Sequence, residues 1–83
     1  MGNEAAVSVF PNPADGYINL SVSNSIVAGK PIAKLYDAKG SLLQSFAIIR
    51  DNTIINTSLL PAGLYHIYFM YNEKPQTLSF IKK

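Results

Sequence analysis

The chain has 83 residues, which is the size of one small domain. Hydrophobic residues make up 48% of it and charged residues 14%, a balance typical of folded rather than disordered chains. The formal net charge of +2 is too small for a nucleic-acid-binding surface, and the lack of cysteine excludes disulfide bonds and cysteine-bound metals. No apolar run reaches the roughly 18 residues of a membrane-spanning helix, so we expect no membrane insertion.

Short strand patterns follow one another along the chain. Tyr17–Ser23 illustrates them, because Ile18, Leu20 and Val22 alternate with polar residues. No stretch shows the apolar periodicity and the caps of a helix. The predicted strands, in chain order, are Val7–Phe10, Tyr17–Ser23, Pro31–Asp37, Leu42–Ile49, Thr53–Thr57, Leu64–Tyr71 and Thr77–Ile81.

The segments between the predicted strands are rich in Gly, Pro, Asn and Asp, the residues of tight turns. They are Pro11–Gly16, Ala28–Pro31, Asp37–Gly40, Arg50–Asn52, Pro61–Gly63 and Asn72–Pro75. About seven short strands with regular turns predict an all-β fold, an immunoglobulin-like β-sandwich of antiparallel strands with Greek-key connections. The residues expected to face its core are Val7, Val9, Ile18, Leu20, Val22, Ala33, Leu35, Ile55, Leu60, Tyr65, Ile67, Phe69, Leu78 and Phe80.

The first predicted strand stops at Pro11-Asn12-Pro13. Neither proline can donate a hydrogen bond to a sheet, and Pro13 disfavours a helical conformation at Asn12. Asp15-Gly16 then turns the chain into the second strand. We expect a rigid corner here, at which the first strand crosses from one sheet toward the other.

Side chains suited to catalysis or metal binding are few and scattered. His66 is the only histidine, and Asp15, Asp37, Asp51 and Glu73 all lie in predicted turns, where carboxylates commonly accept hydrogen bonds from the backbone. Their spacing is not that of a zinc or calcium site. The chain also has no nucleophile elbow and no glycine-rich phosphate loop. We therefore expect no catalytic residue, metal ion or cofactor.

A six-residue stretch before the sixth strand, Leu60-Pro61-Ala62-Gly63-Leu64-Tyr65, resembles the tyrosine corner of Greek-key sandwiches. In that motif a tyrosine near the start of a strand donates its hydroxyl to a backbone carbonyl a few residues upstream. We expect Tyr65 to be partly buried with its hydroxyl bonded, and Gly63 to adopt a positive φ.

Four motifs occur in order and end at the last residue of the chain. They are Pro11-Asn12-Pro13 with Gly16, Leu35-Tyr36-Asp37 with Gly40, the Leu60–Tyr65 stretch, and a final strand ending in Phe80-Ile81-Lys82-Lys83. Together, over Val7–Lys83, they resemble the type A C-terminal sorting domain of the type IX (Por) secretion system of Bacteroidetes-type bacteria. Ser41, Ile55–Ser58 and Ser79 depart from the usual family residues, which affects the expected surface charge but not the fold.

The resemblance implies a non-catalytic secretion signal that directs a larger protein across the outer membrane. Residues 7–83 would form the single sorting domain, and residues 1–6 a linker remnant or an artificial start. The implied partners are the secretion machinery, a sortase-like peptidase that cuts upstream of the fold, and an N-terminal cargo domain of the same chain. The protein would pass through the periplasm to the cell surface or the extracellular space.

The resemblance also implies that the machinery reads the end of the chain, which comprises Leu78, Ser79, Phe80, Ile81, Lys82 and Lys83. A simpler interpretation of the two lysines is a solvated basic end that protects an edge strand from aggregation. The other motif residues are expected to be mainly structural, namely Pro11, Asn12, Pro13, Gly16, Tyr36, Asp37, Gly40, Leu60, Gly63 and Tyr65.

Two other classes of function remain open from the residues alone. A carbohydrate-binding or adhesion module would gather exposed aromatic side chains on one face. The candidates are Tyr17, Tyr36, Tyr68 and Tyr71. A structural module that packs against a catalytic domain would instead expose a large apolar surface, to which the outward strip of His66, Tyr68 and Met70 would contribute.

Overall fold

The strands and turns predicted from the sequence are the main elements of a computed structural model, which describes residues 6–83. This part of the chain contains one short helix, α1 (Asn24–Gly29), and seven strands. The strands are β1 (Val7–Phe10), β2 (Tyr17–Val22), β3 (Ile32–Asp37), β4 (Leu42–Ala47), β5 (Asn52–Asn56), β6 (Gly63–Tyr71) and β7 (Lys74–Lys82).

The strands form two antiparallel sheets. The three-stranded sheet has the order β1-β2-β5, and the four-stranded sheet has the order β4-β3-β6-β7. The chain passes from one sheet to the other after β2, after β4 and after β5, which gives the Greek-key connections of immunoglobulin-like sandwiches. The predicted all-β sandwich is therefore confirmed, and its first and last strands both lie at sheet edges.

The core lies between the sheets and follows the predicted alternation, because every second side chain of a strand points to the same face. Most of the predicted core is buried: Ile18, Leu20, Val22, Ala33, Leu35, Ile55, Tyr65, Ile67, Phe69 and Phe80. The other predicted core residues, Val7, Val9, Leu60 and Leu78, pack against these but stay partly exposed. For Val7, Val9 and Leu78 the reason is that β1 and β7 have a strand neighbour on one side only.

Three buried apolar side chains were not predicted: Ala14, Ile26 and Ile48. Ile26 belongs to α1, so the expectation that the chain has no helix is wrong. With six residues, α1 is too short to display a helical repeat in the sequence, and it ends where Lys30 adopts φ 49°. Among residues 6–83 no helix has the length and apolar character needed to cross a bilayer.

Six of the fourteen predicted strand ends are exact, seven are one or two residues off, and the start of β7 is three residues off. That strand begins at Lys74 rather than Thr77, because the preceding turn uses only Asn72 and Glu73, whose φ angles are 52° and 62°. Such two-residue turns match the twist of a hairpin. Pro75 is accommodated within β7 because it lies on an edge strand.

The first corner differs from its prediction. β1 and β2 pair in the same sheet, with Val9 opposite Leu20, so β1 does not cross to the other sheet. The segment between them crosses instead, and Ala14 pairs in parallel with Lys82 at the edge of the four-stranded sheet. The first corner of the chain therefore meets the end of its last strand.

Candidate functional site

The predicted recognition residues occupy the second half of β7 and the residue that follows it. Inward-pointing residues alternate with exposed ones: Phe80 is 1% exposed, whereas Ile81 is 50% exposed. Leu78 and Lys82 share the inward face with Phe80, while Ser79 and Lys83 are exposed like Ile81. The fold therefore presents every second side chain of this segment at the surface.

Phe80 is held in place by the predicted tyrosine corner. The rings of Phe80 and Tyr65 stack with centroids 5.5 Å apart, and Tyr65 is 4% exposed. The Tyr65 hydroxyl donates to the carbonyl of Pro61 at 2.5 Å, four residues upstream. Gly63 has φ 153°, a conformation that side chains rarely adopt. Both predictions for this stretch are confirmed.

Lys82 is not the solvated basic residue of the simpler interpretation. Its side chain is only 8% exposed, and its ammonium group donates to the carbonyl of Leu60 at 3.0 Å. A second, longer contact of 3.4 Å joins the ammonium to the carbonyl of Lys83. Carbonyl oxygens thus replace the water that a buried ammonium loses. The interpretation is wrong for Lys82, since only Lys83 of the two lysines is exposed.

The proline corner is bound directly to the end of β7. The side-chain oxygen of Asn12 accepts a hydrogen bond from the Ile81 amide at 3.0 Å. The Ala14 amide donates to the Ile81 carbonyl at 2.6 Å, and the Lys83 amide donates to the Ala14 carbonyl at 2.9 Å. Sequence patterns did not single out Ala14, since a small apolar residue in a loop carries no distinctive signal.

The earlier part of β7 has an open backbone edge. Because the Ile81 amide and carbonyl face away from β6, those of Ser79 and Thr77 do so too, two and four residues before it. No residue of the described part of the chain forms a backbone hydrogen bond to them. A groove of ≈ 460 Å³ runs beside this edge and is lined by Val7, Val9, Asn12, Gln76, Thr77, Leu78 and Ser79.

The second motif builds the turn between β3 and β4. One oxygen of the Asp37 carboxylate accepts hydrogen bonds from the amides of Lys39 and Ser41, both at 2.9 Å. Gly40 completes the turn with φ 89°. The turn role expected for Asp37 is confirmed. Tyr36 lies on the outer face, opposite His66 of β6.

The four tyrosines considered for a binding face do not form a single cluster. Tyr17 lies on the three-stranded sheet, whereas Tyr36 and Tyr68 lie on the outer face of the four-stranded sheet. Tyr71 packs against the core. The polar tip of Tyr68 is bound within the domain, since its hydroxyl donates to the Met70 sulfur at 3.0 Å.

Side chains that could bind a metal ion are not clustered in the part of the chain that the structure describes. Within residues 6–83, no three His, Cys, Asp or Glu side chains are close enough together to hold a metal ion. His66 is on the outer face of β6, and its Nδ1 lies 2.9 Å from the Ser79 hydroxyl, so it is a polar neighbour of the terminal strand.

These features define a class: small immunoglobulin-like sandwiches whose last strand lies at a sheet edge and is fixed by the first corner of the chain. The family model of the secretion system C-terminal sorting domain matches residues 8–83. The chain belongs to this family, whose members are sorting signals for type IX secretion. Such domains are in general non-catalytic, and they imply export to the cell surface or the extracellular space.

A solved structure supports the fold. It comes from a study of PorZ, a surface component of the type IX secretion system of Porphyromonas gingivalis, and it matches 93% of this chain with a TM-score of 0.76 and 18% identity. The chain spans 11% of the length of that structure's chain. None of the curated proteins matches the chain.

Proposed function

We propose that residues 7–83 are a folded, non-catalytic signal for the export of a larger protein that precedes them. The match to the sorting-domain family carries this proposal. The cargo domain lies N-terminal to β1, and a linker joins it to the sorting domain. Residues 1–5 of the predicted linker remnant or artificial start lie outside the described part of the chain. The cargo passes through the periplasm, and a sortase-like peptidase cuts before β1.

In this proposal the secretion machinery reads the terminal strand in its folded form. The outward residues Ser79, Ile81 and Lys83 make the contacts, and their exposure supports this role. Leu78, Phe80 and Lys82 act indirectly, because their side chains point into the sandwich and fix the strand.

The open edge of β7 supports a specific mode of recognition. An extended segment of a partner can pair with an exposed sheet edge, with backbone hydrogen bonds providing affinity and side chains providing specificity. The outward backbone groups of Thr77 and Ser79, which are unpaired within the described residues, offer donors and acceptors for such a segment. The groove beside them provides space for its side chains.

The test joins the whole chain to the C-terminus of a periplasmic reporter in a strain with a working type IX system. Ile81→Asp is compared with Ile54→Asp, since both isoleucines are exposed, at 50% and 67%, and they lie on different sheets. We expect Ile81→Asp to reduce surface display several-fold and Ile54→Asp to leave it unchanged, at equal unfolding midpoints. Equal display of both variants contradicts outward-face recognition, and normal export without Leu78–Lys83 excludes any role of the terminal strand.

A further inference from the structure

The first and last family motifs form one site, although the hydrogen-bonded residues Asn12 and Ile81 are 69 positions apart in the sequence. We infer that residues 12–14, here called the clip, position the export signal by holding Ile81 and Lys83 in a single extended conformation. This inference rests on the proposed function, in which the exposed terminal side chains are read. It assigns the clip a role beyond that of a rigid corner.

The end of β7 depends on the clip because β6 does not reach far enough. The first residue of β6, Gly63, pairs with Lys82, so Lys83 lies beyond the β6 ladder. The Lys83 amide bonds to the Ala14 carbonyl at 2.9 Å. Chain ends fray unless such contacts hold them. Without the clip, Ile81 would have a neighbouring strand on one side only, namely β6, and the Lys83 amide would lose its hydrogen bond to Ala14.

The clip is itself anchored to the opposite sheet. The Thr57 hydroxyl donates to the Asp15 carbonyl at 3.2 Å, and the Thr57 amide donates to the Gly16 carbonyl at 3.0 Å. Thr57 and Ala14 are both fully buried. These hydrogen bonds hold the residues after the clip in place. They also connect β7 to the end of β5 through residues 12–16.

The clip also limits the open edge. It occupies the outward amide and carbonyl of Ile81, whereas no residue between 6 and 83 bonds to the corresponding backbone groups of Ser79 and Thr77. An added strand can pair at Thr77 and Ser79 but must end before Ile81. The Ile81 side chain then lies just beyond the end of the added strand, and the β7 backbone sets the distance between the two.

The test removes the clip's side-chain acceptor, and it leaves the core undisturbed because Asn12 is exposed. Asn12→Ala deletes the oxygen that accepts from Ile81, and Asn12→Asp retains an oxygen there. Asn19→Ala is the matched control, because the Asn19 side-chain oxygen accepts one hydrogen bond, from Asn52, within the other sheet. Amide exchange is measured on the isolated 83-residue chain, and surface display on its reporter fusion.

We expect the Ile81 amide of Asn12→Ala to exchange at least about tenfold faster than that of wild type, while the Ile67 amide stays protected. The surface display of Asn12→Ala should fall several-fold below that of Asn19→Ala at a similar unfolding midpoint, and Asn12→Asp should restore both properties. Unchanged exchange at Ile81 overturns the inference, as does full display despite fast exchange. If the wild-type fusion itself stays in the periplasm, the proposed function fails, and the exchange measurement still decides whether the clip orders the tail.

Discussion

The tyrosine corner gives a prediction whose size follows from the structure. Tyr65→Phe removes one hydroxyl and its 2.5 Å hydrogen bond to the Pro61 carbonyl, while the ring can keep its stacking on Phe80. Pro61 is exposed, so water can replace the lost donor. The cost should therefore be the net value of one hydrogen bond, about 1 kcal/mol, rather than the larger penalty of a buried unpaired carbonyl.

Thermal unfolding followed by circular dichroism measures this cost. In a domain of this size, about 1 kcal/mol lowers the midpoint by roughly 4–8 °C. Tyr17→Phe is the matched control, because Tyr17 is 49% exposed on the other sheet and its free energy of unfolding should change by less than about 0.5 kcal/mol. A Tyr65→Phe midpoint no lower than that of Tyr17→Phe would refute the role assigned to the hydroxyl.

Three further substitutions test the packing around the terminal strand by denaturant unfolding. Gly63→Ala should cost about 1–3 kcal/mol because φ is 153° there, whereas Gly16→Ala should cost less, and equal losses would contradict the backbone argument. Lys82→Glu should cost about 3 kcal/mol because it sets a carboxylate against the Leu60 carbonyl, and an equal effect of the exposed Lys83→Glu would show that Lys82 is not buried. Phe80→Ala should cost about 3–5 kcal/mol, and a loss below 1 kcal/mol would mean that the terminal strand contributes little to the core.

The sandwich could be predicted because its strands carry regular alternation and its turns carry Gly, Pro, Asn and Asp. Helix α1 could not, since six residues are too few to show a helical repeat. The start of β7 was misplaced because Lys74 and Pro75 look like turn residues, and only an edge position lets a proline continue a strand.

The candidate site could be predicted only in part. The Tyr65 corner is a local motif, so its hydrogen bond was expected from the sequence and found in the structure. The burial of Lys82 and the pairing of Ala14 depend on which strands meet at the sheet edge. Which strands meet there is determined by the Greek-key topology of the whole domain and not by residues that are neighbours in the sequence. The clip and the terminal strand were thus recognised as separate motifs but not as one site.

The most direct test of the central claim measures where a reporter goes when the whole chain is fused to its C-terminus. Surface exposure is scored by external protease in two strains that differ only in a working type IX machinery. We predict that the reporter becomes accessible in the strain with the machinery and stays protected in the strain without it. Protection in both strains, or equal accessibility in both, would contradict the assignment of this domain as the export signal.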